Sequence, residues 1–190
     1  MSQQSPPEDA APPAPRRSRL LQVAGVLALA LALNLLIIRL PRRWFVGWGR
    51  YGYLGVFLVT LLANASVFIP VPYPGLVAKL AAELNAGAVA FLAAAGSAVG
   101  ETTAFFVGRA GKGVVEETAF YRWLGRQLRT PLRAFAVLFL LSAPPNPFFD
   151  VAGLTAGSLG VRFPIFIAAT FSGRLVRMFI LAYLGQAYLQ

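Results

Sequence analysis

The chain has 190 residues, of which 57% are hydrophobic, and its formal net charge is +10. Soluble domains average about 45–50% apolar residues, so this composition indicates a membrane protein, and the length indicates a single domain. Its clustered arginines fit the positive-inside rule better than nucleic-acid binding. Because the chain contains neither Cys nor His, disulfides, thiol or histidine nucleophiles, and haem or zinc sites built on those residues are excluded. We therefore expect no enzyme activity, no metal and no cofactor.

The N-terminal part of the chain predicts a tail followed by a membrane anchor. Residues 1–19 are polar and rich in proline, and too few apolar side chains are present to offset the entropy of ordering, so we expect a disordered tail. The apolar run 20–38 is long enough for one crossing, and the basic linker 39–50 completes this segment with four arginines and two tryptophans. A cleaved signal peptide is the alternative, and a twin-arginine export signal is a weaker one.

Two proline-tipped segments predict helical hairpins that enter the membrane without crossing it. They cover about residues 54–87 and 134–160. A Pro-x-Pro sequence breaks a helix, and each tip carries one: Pro72 and Pro74 in the first, Pro145 and Pro147 in the second. The arm at 75–87 reaches only about 20 Å, against a hydrocarbon core of about 30 Å.

The two halves of the chain align without a gap at a shift of 73 residues, and in this alignment Glu101 of the first half corresponds to Arg174 of the second. A hairpin plus one crossing makes an odd number of passes, so the second unit is inverted and the two tips meet near mid-membrane. Broken backbone at that depth needs protein or water partners, so the tips should line a polar cavity. The predicted fold is an all-α integral membrane protein: an inverted repeat of two re-entrant helical hairpins, each followed by a transmembrane helix, plus an N-terminal transmembrane helix.

Residues 109–133 form a basic loop between the two units. Phe120, Trp123, Leu124 and Leu128 recur there at helical spacing, which predicts an amphipathic helix lying on the membrane surface. A helix packed on the protein's own loops is the alternative. The positive-inside rule places this loop in the cytoplasm; the side on which the N-terminus lies stays open.

Charged residues within the apolar segments are the candidate functional residues, because a charge at the bilayer centre costs roughly 2.5–3.5 kcal/mol. Asp150 follows the second tip, and we expect it to cap its half-helix or to meet Arg174. Glu101 and Asp150 either line a transport cavity or make structural ion pairs. Lys79 and Glu83 are four residues apart and can pair locally.

Two motifs resemble the DedA superfamily, also called the SNARE-associated or VTT-domain family, and its vacuole-membrane-protein branch most closely. They are GSAVGETTAFFVGRAGKG at 96–113 and PPNPFFDVAGLTAGSLGVRFPIFIAATFSGRLVRMFI at 144–180. The resemblance covers about residues 51–185 and marks 51–190 as the family's domain. It implies two facing re-entrant loops and the movement of lipids between leaflets. Phospholipid scrambling is implied by the eukaryotic members, and transport of undecaprenyl phosphate or similar lipids by the bacterial ones.

By position, the family's functional residues fall on Glu101, Arg109, Pro147, Asp150 and Arg174. Many bacterial members also have an acid in the first arm, a Pro-Gly-Asp at the first tip and arginines before the second tip. None of these stands in this chain, which has Ala63-Asn64, Pro74-Gly75-Leu76 and Ser142-Ala-Pro-Pro at these places. This departure weakens proton-coupled transport and favours passive scrambling.

The sequence therefore predicts a lipid transporter or scramblase that passes phospholipid or polyprenyl-phosphate headgroups along a polar path between the two tips. The path residues we expect are Glu101, Asp150, Arg174, Asn146, Tyr73 and Arg109, although Arg109 at a helix end can instead reach lipid headgroups. A proton- or ion-coupled carrier of a small solute, and a non-transporting assembly factor that docks partners through 109–133, are the alternatives. The expected partners are membrane lipids, either anionic phospholipid or undecaprenyl phosphate, without nucleic acid; a homo-oligomer stays open. The Ala-, Leu- and Arg-rich composition indicates a multi-pass protein of a bacterial cytoplasmic (inner) membrane.

Overall fold

The computed structural model describes residues 16–40, 49, 51–65, 73–111, 119–144 and 148–189, and within these ranges the chain forms eight helices and no strand. The all-α class is therefore confirmed for this part of the chain. In chain order the helices are α1 Arg16–Arg39, α2 Tyr51–Ala65, α3 Tyr73–Glu83, α4 Ala86–Ala110, α5 Ala119–Gln127, α6 Pro131–Ser142, α7 Phe148–Ser158 and α8 Phe163–Leu189.

Apart from α1, which has 24 residues, helix length divides the described part of the chain into two long and five short helices. Helices α4 and α8 have 25 and 27 residues and reach about 37 and 40 Å, enough to cross a hydrocarbon core of about 30 Å. Within the described ranges, these two are the helices whose length and composition suit a membrane span. Helices α2, α3, α6 and α7 have 15, 11, 12 and 11 residues, so each extends only about 16–22 Å. Helix α1 covers the expected anchor, and its crossing stays a prediction.

Helix α2, the first short helix of the repeat, packs against α4 and runs parallel to it. Gly96 lies against the backbone carbonyl of Phe57, and Gly100 lies one turn further along against that of Leu61. At Gly96 the approach leaves no room for a Cβ, because the Thr60 hydroxyl also faces this position and donates to the Phe57 carbonyl at 3.0 Å. The glycine thus allows a backbone-to-backbone contact between the two helices.

The same contact recurs between α6 and α8. Gly173 lies against the Phe139 carbonyl and the Ser142 hydroxyl. Ser142 donates to the Phe139 carbonyl at 3.0 Å, as a threonine does in the first half. Each half of the chain therefore has an arm with the same hydroxyl-on-carbonyl contact beneath a glycine of its long helix.

The two halves are joined by two equivalent crossings. Gly108 of α4 lies against the backbone of Leu154 in α7, and Gly185 of α8 lies against the backbone of Ala78 in α3. In each case the short helix that follows a tip packs on the long helix of the other half. The halves are thus interlocked, and neither has a separate core.

These contacts fit the expected 73-residue shift at one place and a longer shift at another. Gly100 and Gly173, 73 positions apart, each lie against a backbone carbonyl and the amide nitrogen four residues later, whereas Gly108 and Gly185, which also have matching contacts, are 77 positions apart. The turn between α7 and α8 has four residues, 159–162, whereas that between α3 and α4 has two, 84–85. Gly160 in the longer turn has φ +74°, a left-handed conformation that glycine adopts freely. Gly87 and Gly160, which the 73-residue shift also aligns, do not occupy matching positions, because Gly87 lies in α4 and Gly160 lies in the turn before α8.

Helices α4 and α8 run antiparallel through the centre. Gly87, at the start of α4, lies beside the Phe179 ring, whereas Phe105 near its end stacks on Phe166 with 4.5 Å between ring centroids. Two apolar clusters fill the interior. One lies around the first half of α4 and the second half of α8. The other lies around the second half of α4 and the first half of α8, together with α5, α6 and α7.

Two side-chain contacts hold α1 against α3. The Gly75 N–H donates to Oδ1 of Asn34 at 2.7 Å, and Nζ of Lys79 donates to the Ile38 carbonyl at 3.1 Å. Lys79 is buried, and its charge lies at the last turn of α1, where a cation is favourable. Lys79 thus links α3 to α1, and its role is not limited to a local pair with Glu83, four residues later.

Helix α5 is shorter than the surface helix expected from residues 109–133, and much of its apolar side is covered by protein. Leu124 and Leu128 are buried in the second apolar cluster, with Phe120 packed against it. Trp123 remains 39% exposed. The alternative of a helix packed on the protein therefore describes α5 better, while its arginines and tryptophan stay at the surface.

Candidate functional site

A buried ion pair lies between the two long helices. Nη2 of Arg174 on α8 donates to Oε1 of Glu101 on α4, and the two side chains are 5% and 1% exposed. The pair separates the two apolar clusters along both helices. A charge that is removed from water in this way requires an oppositely charged partner, and Glu101 and Arg174 provide that partner for each other.

Helix α7 adds two groups to this charged centre. The guanidinium carbon of Arg174 lies 5.0 Å from the centroid of the Phe149 ring, a cation–π distance. Asp150 is in the first turn of α7, and its carboxylate interacts electrostatically with both Arg174 and Glu101. The structure thus brings together three of the expected path residues from three different helices.

Several buried polar atoms in and near the charged centre have unused hydrogen-bonding capacity. Five buried polar atoms lack a hydrogen-bond partner among the described residues: Oε2 of Glu101, Nε of Arg174, and the hydroxyls of Ser97, Thr155 and Thr170. Ser97 and Thr170 lie one turn from the two charged residues on their helices, so a polar stripe runs through the α4–α8 contact. Buried polar groups are almost always paired, so water, a bound group or a residue outside the described ranges is needed to complete this stripe.

A groove of about 550 Å³ lies where the two proline-containing tips approach α8. Its lining combines one cation with apolar side chains: Pro74, Ala143, Pro144, Val176, Arg177, Ile180 and Leu181. Val176 and Ile180 are 45% and 56% exposed, so the groove opens onto the outer, apolar side of α8. The guanidinium carbon of Arg177 is 5.7 Å from the Tyr73 ring centroid.

Arg177 was not among the expected path residues, although it lies inside the apolar segment that forms α8. Its position three residues after Arg174 was the available signal, since residues three apart share a helix face. Arg177 interacts electrostatically with Arg174 and Glu101. The groove is therefore in electrostatic range of the buried ion pair.

The other expected site residues are placed as follows. Tyr73 and Pro74 begin α3 beside the groove. Arg109 is exposed and lies about 12 Å beyond Glu101 along α4; its Nη1 donates to the Val161 carbonyl at 3.3 Å, so the structure does not bring it to the charged centre. Asn146, Pro72, Pro145 and Pro147 lie outside the described residues.

The charged centre does not resemble a metal site. Among the described residues no group of three or more Asp, Glu, His or Cys side chains could hold an ion. The two carboxylates of the centre, Glu101 and Asp150, instead share one arginine. This arrangement suits the passage or binding of a polar group through hydrogen bonds and charge.

Comparison with known proteins identifies the family. Neither the curated proteins nor the solved structures give a match. The family model described as the VTT domain matches residues 59–187, which include α3 to α7, most of α8 and the second half of α2 from residue 59 onward. Members of this family are membrane proteins, generally of transporter or lipid-flippase type, in agreement with the two apolar helices of spanning length. The chain therefore belongs to the VTT-domain (DedA) family of membrane proteins.

Proposed function

We propose that the chain moves phospholipid or polyprenyl-phosphate headgroups between the leaflets, as a lipid transporter or scramblase. The observation that carries this proposal is the groove between the two tips. It offers a cation, Arg177, for a phosphate group, and its apolar walls open toward the lipid-facing side of α8. A headgroup could travel along such a groove while its acyl chains stay in the bilayer.

Helix lengths and directions support the membrane arrangement that this function needs. Helices α3 and α7 are each 11 residues long, well short of a crossing. The long helices α4 and α8 run antiparallel, and the contacts of one half recur in the other. If both long helices span the bilayer, the two halves have opposite orientations and their tips enter from opposite faces.

The polar stripe supplies a second support. A headgroup leaving water needs replacement hydrogen bonds, because unpaired polar groups in hydrocarbon are costly. Glu101, Asp150 and Arg174 provide charges of both signs, and Arg177 in the groove interacts electrostatically with Glu101 and Arg174. Buried hydroxyls without a partner among the described residues add hydrogen-bonding groups. We propose Arg177 and this charged centre as the polar side of the path.

A proton-coupled carrier of a small solute is a second candidate, favoured by one observation. Glu101 is 1% exposed, and its Oε2 has no partner among the described residues, so it could accept a proton during transport. The mostly apolar groove suits a lipid better than a polar solute. Uptake driven by a pH gradient and lost in Glu101→Gln would favour the carrier.

Purified protein in lipid vesicles tests the main proposal. Fluorescent phospholipid in the inner leaflet should become accessible to an impermeant quencher at a rate well above that of empty vesicles. Parallel vesicles with an anionic and a zwitterionic reporter assign the headgroup class. Equal rates with and without protein for both reporters would refute lipid movement. The vacuole-membrane-like branch and the bacterial inner membrane stay predictions from the sequence.

A further inference from the structure

A second pocket, separate from the groove at the tips, lies between two turns of the chain. It has a volume of about 420 Å³ and is formed where the α5–α6 turn meets the α7–α8 turn. The lining residues are Gly125, Leu128, Arg129, Pro131, Ala134, Leu159, Gly160, Val161, Arg162 and Ile165.

The pocket is positively charged. Arg129 and Arg162 line it from opposite turns, both side chains are exposed, and no carboxylate is among the lining residues within the described part of the chain. Arg109 approaches from a third element and donates to the Val161 carbonyl at 3.3 Å. Arginine presents several donors in a fixed geometry that matches a phosphate group, so two arginines from facing turns make a suitable anion site.

The floor of the pocket is apolar. Leu128 and Val161 are 9% and 7% exposed, and Leu159 and Ile165 complete the lining beside them. A soluble anion would gain little from such a floor, whereas a lipid could place its glycerol and upper acyl chains there. This combination of apolar floor and cationic rim favours an amphipathic ligand.

The neighbouring helix α5 indicates that the pocket lies at headgroup depth. Trp123 is 39% exposed and stacks on Phe120, with ring centroids 5.8 Å apart. Indoles concentrate at the membrane–water interface, and arginines beside them meet anionic lipid on the cytoplasmic face. The pocket is thus placed where phospholipid headgroups are plentiful.

We infer that this pocket binds the headgroup phosphate of an anionic phospholipid through Arg129 and Arg162. Bound lipid would fasten the α5–α6 turn to the α7–α8 turn, that is, the second hairpin to its own long helix. This site is distinct from the groove at the tips, and its occupancy does not depend on whether the chain moves lipids.

Lipid binding to the purified full chain tests the inference. Native mass spectrometry in detergent, with phosphatidylglycerol or phosphatidylcholine added, should show preferential retention of phosphatidylglycerol. The double variant R129Q/R162Q should weaken phosphatidylglycerol binding about tenfold or more, since losing one charge-assisted hydrogen bond typically costs at least that factor. The matched control R126Q/R133Q removes the same charge from exposed arginines of the same region that do not line the pocket, and should change binding less than about twofold.

Three outcomes would overturn the inference. Equal losses in the two double variants would mean that general surface charge attracts the lipid. Retention of phosphatidylcholine equal to that of phosphatidylglycerol would remove the anionic preference. Displacement of the lipid by millimolar inorganic phosphate would identify a site for a soluble anion.

Discussion

The buried pair of Glu101 and Arg174 gives the sharpest test of the charged centre, because its two members should respond differently to removal. Breaking a buried ion pair by removing one partner typically costs about 3–5 kcal/mol, since an uncompensated charge remains. In Glu101→Leu, Arg174 keeps the Phe149 ring at 5.0 Å and its attraction to Asp150. In Arg174→Met, Glu101 and Asp150 are left as two interacting carboxylates without their shared arginine.

We therefore expect Glu101→Leu to lower the free energy of unfolding by an amount near the lower end of that range, about 3 kcal/mol, and Arg174→Met by an amount near the upper end, about 5 kcal/mol. The double variant E101L/R174M replaces both charges with apolar side chains of similar size. Replacing both members of a pair in this way is often neutral or stabilising. Asp150 still loses its arginine, so the double variant should lose clearly less free energy of unfolding than Arg174→Met, about 2 kcal/mol or less.

Equilibrium unfolding in detergent micelles measures these differences, with Arg133→Met as a control at an exposed position that should change stability by less than about 0.5 kcal/mol. The same four proteins are then compared in vesicles for lipid movement. If the pair lines the path, E101L/R174M is stable and inactive. A stable double variant with wild-type lipid movement would reduce the pair to a structural role. Single variants that each cost less than about 1 kcal/mol would contradict a desolvated pair.

Two further substitutions test the groove and the interlocked halves. Arg177→Gln removes the cation of the groove and should slow lipid movement about tenfold, the effect of losing one charge-assisted hydrogen bond. The control Arg126→Gln on α5 should leave the rate unchanged. Equal rates for both variants would mean that the lipid path lies elsewhere. Gly185→Leu pushes a side chain into the backbone of Ala78 and should lower the free energy of unfolding by about 3 kcal/mol or more. Gly25→Leu, at a position where no atom of the described residues lies within 4 Å, is its matched control, and similar unfolding of the two variants would contradict the close packing of α8 on α3.

Helix class, span length and the candidate charges could be predicted from the sequence, because apolar runs, prolines and buried charges are local signals. The 73-residue repeat placed Glu101 and Arg174 at related positions, but the partner expected for Arg174 was Asp150. The direct pair of Glu101 with Arg174 was seen only in the structure. The two residues meet because opposite charges on antiparallel helices compensate each other inside an apolar interior.

The rest depended on packing that a single sequence does not display. The two extra residues of the α7–α8 turn are hidden in low-complexity sequence, where a glycine matches a glycine at either shift. The role of Arg177 depends on the tips lying against α8, and the position of Arg109 depends on how α4 ends near Val161. The burial of Leu124 likewise follows from α5 packing on the second apolar cluster, which helical spacing alone cannot distinguish from packing on lipid.

Closing the groove tests most directly the claim that lipid headgroups pass between the two tips. Pro74 and Ala143 line it from opposite tips, and the chain has no cysteine of its own, so the variant P74C/A143C carries one defined pair of thiols. A short cleavable bis-thiol cross-linker added to protein-containing vesicles should reduce lipid movement to the rate of empty vesicles, and cleavage should restore it. Lipid movement that continues at full rate after complete cross-linking would contradict a path between the tips.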